Sequence, residues 1–159
     1  MEGKYILARY LLLGLILAIA SWQDLRYRRI FWPLPAAGVF LAGAGDLLMG
    51  ELTVREVGGG LLLGLFLILV SILSRNAIGM GDALLVALLG TALGFGEALL
   101  IFWFASFAVA GLGLFAWRMG RGKERGNRLR NYALPFAPVL SLTGLVIEVF
   151  CRILPGLLS

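Results

Sequence analysis

The chain has 159 residues, 60% of them hydrophobic and only 14% charged, against about half apolar and a quarter charged in a soluble domain. A water-soluble fold has no means of hiding so much apolar surface, so the solvent is lipid. At roughly 20 apolar residues per span, the chain holds about six helices with short loops. The expected fold is all-α, a polytopic membrane helix bundle of about six transmembrane helices. It forms one membrane-embedded domain over residues 1–159, with no room for a separate soluble one.

The apolar runs predict helices over Tyr5–Trp22, Ile30–Met49, Val57–Leu73, Asp82–Phe95, Glu97–Trp117 and Tyr132–Ile153. The fourth is short for a full span, about 14 residues against the usual 17 or more. It is either extended by Ile78–Gly81 or set partly inside the bundle, where the lipid length rule relaxes. Gly60 and Gly64, like Gly90 and Gly94, have the small-x-x-x-small spacing that lets helices pack closely. A rival account makes Ala18-Ile19-Ala20 the cleavage site of a signal peptide, leaving five helices. Six helices explain the loop charges better.

Those charges set the orientation. Arg26, Arg28, Arg29, Arg75 and the basic run from Arg118 to Arg130 fall on one side. Lys4, Arg9, Arg55 and Arg152 fall on the other. The positive-inside rule then puts the richer side, and the loops after helices one, three and five, in the cytoplasm. The net charge of +5 is spent on helix orientation and anionic headgroups. No soluble basic face exists for nucleic acid, so none is expected as a partner. Membrane lipids are expected partners, above all for the Arg118–Arg130 loop, and that loop can also meet charges flanking a substrate.

The chain has no histidine and one cysteine, Cys151. An internal disulfide, a cysteine-built zinc site, an H-E-x-x-H site and any histidine-activated nucleophile are thereby excluded. No metal or other cofactor is expected, and carboxylates must carry any acid–base work. Glu2, Glu51, Glu56 and Glu124 lie in tails or loops, and Glu97 suits a helix start. Asp46 and Glu148 are read as structural, each pairing with Arg152 or Arg55 or snorkelling to the surface.

Asp24 and Asp82 differ. Span counting puts Asp24, just after helix one, and Asp82, at the start of helix four, at the same depth on the same face. Two carboxylates within a few Å cannot both ionise cheaply, so such a pair holds one proton. Its charged member can take a proton from water attacking a peptide carbonyl, and its protonated member can donate to the carbonyl oxygen. Gly79 and Gly81 precede Asp82, where glycine permits unusual backbone angles and close approach of a substrate strand. The same aspartate is equally readable as a plain N-cap of helix four.

Three segments together resemble the type IV prepilin peptidases, the GxGD-type membrane aspartyl proteases that include the archaeal preflagellin peptidases. They are Asp24-Leu25-Arg26-Tyr27-Arg28-Arg29-Ile30, Gly79-Met80-Gly81-Asp82 and Leu134-Pro135-Phe136-Ala137-Pro138, in the family's order along nearly the whole chain. The resemblance implies cleavage of a short basic leader from prepilin-like or preflagellin-like membrane proteins at the cytoplasmic face of the inner membrane. Asp24 and Asp82 match the family's catalytic aspartates. Arg26, Arg28, Arg29, Pro135 and Pro138 become candidate substrate or lipid contacts.

The chain departs from the family's pattern at several places. Leu84 stands where a lysine is common, Phe31 and Trp32 replace a proline and an asparagine, and Ala137 replaces a glycine. The cysteine-rich region of the methylating members is missing, so no methyltransferase activity is expected. Two other classes compete: a small ion- or proton-coupled transporter, and a catalytically silent membrane subunit. A transporter would show ionisable residues near mid-membrane, whereas the best candidates here sit at one edge. None of these features sets an oligomeric state.

Overall fold

The computed structural model describes residues 2–49, 52–74, 79–119 and 136–148. Among these residues are six α-helices, α1 (Glu2–Tyr27), α2 (Pro33–Met49), α3 (Val54–Leu73), α4 (Met80–Leu93), α5 (Phe95–Met119) and α6 (Phe136–Glu148), and no strand. Three are long and apolar enough to cross a membrane, over Ala8–Tyr27, Val54–Leu73 and Phe95–Phe115. The exposed residues explain why lipid must surround them. Leu62, Leu65, Phe66 and Leu69 line one face of α3, and Trp103, Phe104 and Phe107 line one face of α5, all more than half exposed. Water would not tolerate such stripes.

α4 sits at the centre, in contact with every other helix. From Leu85 to Leu93 all of its residues are buried, as expected of a helix that is apolar around its whole circumference. Its shortness therefore reflects enclosure by protein. α3 and α4 approach most closely, and glycine makes this possible: a Cβ on Gly60 would overlap the Gly90 backbone, and one on Gly64 would overlap Ala87. Gly94 has a different task from the packing its spacing suggests. It caps α4 with φ 93°, a left-handed conformation that favours glycine. Its carbonyl accepts from Ala98 N–H at 3.1 Å, so α5 starts without an intervening loop.

Several boundaries differ from the sequence reading, each for a local reason. α1 runs on to Tyr27, so Asp24 lies inside its last turn; Arg28, at φ 52°, then breaks the helix while its N–H still bonds Asp24 O at 2.9 Å. α2 starts at Pro33, whose missing N–H costs nothing at a first helical position. α3 starts earlier than Val57 because Thr53 and Glu56 form a capping box, with Thr53 N–H donating to Glu56 Oε2 at 2.9 Å. Glu56 is thus a capping residue rather than a loop residue. The predicted ends of the sixth helix, Tyr132 and Ile153, lie outside the described residues.

Candidate active site at one end of the bundle

The C-terminal end of α1 and the N-terminal ends of α4 and α6 meet at one end of the bundle. Asp24 is half-buried there, and its Oδ2 accepts the Ala137 backbone N–H at 3.0 Å. Ala137 is the second residue of α6, where an N–H has no partner within the helix. The Asp24 carboxylate thus caps a helix contributed by a segment more than a hundred residues away. One turn deeper, the Ser21 and Ser141 hydroxyls are 2.8 Å apart, and Ser141 also donates to Ala137 O at 2.8 Å. Phe136 packs edge-on against Phe102 of α5, with ring centroids 6.4 Å apart. The start of α6 is therefore gripped from both sides.

Asp82, also half-buried, is the third residue of α4. The N-cap position belongs to Gly79, which makes no side-chain cap, so Asp82 is not the N-cap that the sequence also allowed. Its carboxylate folds back over Gly79: a Cβ there would lie 2.8 Å from Asp82 Oδ2. Asp82 thus stands at the end of the bundle that also holds Asp24.

The two motif glycines adopt no unusual angles. Gly79 has φ −62° and ψ 132°, and Gly81 lies in the helix. Gly81 instead makes room for Ile30, whose Cβ would stand 2.6 Å from a Cβ at position 81. This contact joins the loop after α1 to the start of α4. The same loop is held by Phe31 N–H, which donates to Gln23 Oε1 at 3.0 Å.

Among the arginines, Arg26 lies 5.7 Å from the Trp22 ring centroid and 5.8 Å from that of Tyr27, all three exposed at the rim. Arg28 and Arg29 are exposed beside them. Pro138, in the first turn of α6, is half-buried. Pro135, Arg75 and the basic run over 120–130 lie outside the described residues. Among the described residues no group of three Asp, Glu or Cys side chains comes together as a metal-binding set. An open apolar groove of about 650 Å³ runs between α5 and α6, lined by residues such as Phe104, Leu112, Val139 and Val146.

Sequence reasoning missed the Ala137 amide, Ser21 and Ser141. It also left out a partner of Asp46. That residue is buried and pairs with Arg9 of α1, Nη1 to Oδ1 at 2.8 Å, whereas Arg152, one of the partners expected for it, lies outside the described residues. Span counting gives a residue's depth but not the direction in which its helix face points, so the nearer cation on α1 was passed over.

Comparison with known proteins gives one match. A family model described as the type IV leader peptidase family aligns with residues 11–114, a stretch that includes both Asp24 and Asp82. No curated protein and no solved structure matches the chain.

Proposed function

Because the chain belongs to the type IV leader peptidase family, we propose that this membrane peptidase is an aspartyl endopeptidase with Asp24 and Asp82 as its water-activating pair. Its substrates are prepilin-like or preflagellin-like membrane proteins, from which it removes a short basic leader. The reaction takes place at the cytoplasmic face of the inner membrane, within one domain. The observation that supports the reading is that the end of α1 bearing Asp24 and the start of α4 bearing Asp82 lie at the same end of the bundle, where Ile30 packs on Gly81, with Asp24 held by the α6 amide of Ala137.

The chemistry follows from that arrangement. With one proton shared by the pair, the ionised carboxylate draws a proton from water as its oxygen attacks the scissile carbonyl. The protonated partner donates to the carbonyl oxygen, and collapse of the tetrahedral intermediate passes a proton to the leaving nitrogen. The Ala137 N–H occupies one lone pair of Asp24 Oδ2, which fixes the carboxylate's plane and leaves its other oxygen for water. Around the rim, Arg26, Arg28 and Arg29, with the exposed Trp22 and Tyr27, form an interfacial belt that meets lipid headgroups.

Co-expression with a prepilin-like precursor tests the proposal. Wild type removes the leader, and Asp24→Asn and Asp82→Asn, expressed at the same level, do not. Leader loss that survives either substitution contradicts the pair.

A further inference from the structure

The proposed mechanism makes no use of the most deeply buried charges in the described structure. The Arg9 and Asp46 side chains are only 6% and 0% exposed, and they meet at 2.8 Å between α1 and α2. They lie at the end of the bundle opposite the aspartates. Arg9 and Asp24 are ~22 Å apart along α1 at the helical rise of 1.5 Å per residue.

We propose that the Arg9–Asp46 ion pair sets the axial register of α1, and so the height at which Asp24 meets Ala137 and Asp82. Arg9 and Asp46 are positioning residues in this account. Its catalytic consequence rests on the aspartate-pair reading above, but its structural content does not.

The apolar seam of α1 (Leu13, Ile16, Leu17 and Ala20) is buried against the core. Contacts of that kind do not choose a register strongly, because lipid solvates an apolar side chain as well as another helix does. An ion pair does choose. Sliding α1 along α2 would leave two charges in hydrocarbon, each without its partner. Fixing register is also the best-attested use of buried polar pairs.

The connectivity gives this choice a consequence at the site. Asp24–Ala137 and Ser21–Ser141 tie α1 to α6. Arg9–Asp46 ties α1 to α2, which packs on α4, the helix that carries Asp82. The two aspartate-bearing helices are thus linked through α2 at the far end of the bundle.

Cysteine pairs read the register directly, in the full-length protein carrying Cys151→Ser in native membranes. Ser21→Cys with Ser141→Cys reports the native register, and Leu25→Cys with Ser141→Cys reports a slip of one turn. In Arg9→Met/Asp46→Leu, an apolar pair of similar bulk, folding measured by thermal stability persists. The 21–141 disulfide then forms about tenfold more slowly, because disulfide geometry tolerates little displacement, and the 25–141 disulfide appears. Leader cleavage by the same variant without the cysteines falls about 100-fold in kcat, as expected of an Å-scale misplacement. The exchange Arg9→Asp/Asp46→Arg restores the native crosslink.

A folded Arg9→Met/Asp46→Leu protein that crosslinks 21–141 at the parental rate overturns the proposal. Should that variant not fold, Arg9→Gln/Asp46→Asn decides in the same way. Loss of the native crosslink supports the clamp, and its retention overturns it. Because the crosslink needs no peptidase activity, a chain that cleaves no leader would refute the proposed function and still test the clamp.

Discussion

The two ends of α1 each carry a charged residue whose partner lies on another helix, and they use it differently. At one end Arg9 meets Asp46 in a sealed contact, charge against charge. At the other, Asp24 is half-buried and accepts the Ala137 amide, at the same end of the bundle as the Asp82-bearing start of α4. The first arrangement neutralises its charge and leaves nothing for a substrate. The second leaves a carboxylate partly open at the end of the bundle that also carries Asp82, an arrangement that stability alone does not call for. The difference separates a structural polar contact from a candidate chemical one.

That contrast can be broken at either end, and the largest effects are expected at the aspartates. Asp24→Asn or Asp82→Asn keeps the shape and removes the acid–base function, so leader cleavage falls by about 10²–10⁴-fold or more. Thermal stability changes little, and quantitative product analysis together with melting curves checks both halves. At the opposite end the order reverses. Asp46→Ala strands Arg9 and costs about 3–5 kcal/mol, read as loss of folded protein in detergent, while Arg9→Met/Asp46→Leu removes both charges and restores it.

Smaller changes sharpen the comparison. Gly81→Ala forces a Cβ against Ile30, an overpacking worth about 1–3 kcal/mol, and it lowers cleavage by displacing the start of α4. Gly14→Ala, where nothing lies within 4 Å of the added Cβ, leaves activity and melting temperature unchanged or slightly improved. Between these lies Ser141→Ala, which removes a hydroxyl contact worth about 1 kcal/mol. It is read best as a modest fall in melting temperature that Ser21→Ala does not deepen, since both delete the same contact.

Much of this arrangement is legible in the amino-acid sequence. The apolar runs announce six helices, and the alternation of crossings puts Asp24 and Asp82 at one end. The enclosed position of α4 is foreshadowed by its shortness and lack of any polar face. What escapes is set by rotation about helix axes. Asp46 faces Arg9 of α1, and Gly81 faces Ile30. Neither direction is encoded in hydropathy. The Ala137 amide is harder still, since a backbone donor carries no side-chain signal and its partner is distant in sequence. Ser21 left a clue, being a hydroxyl one turn before Asp24, as did the Thr53–Glu56 capping pattern ahead of α3.

The most direct test is cleavage by purified protein in lipid vesicles, with a prepilin-like substrate and the new N-terminus identified by mass. Wild type is expected to release the leader at one bond, and Asp24→Asn and Asp82→Asn, equally folded by melting curve, to release none. Release at the same bond by either variant at a rate near wild type would contradict the claim that these two carboxylates activate the attacking water.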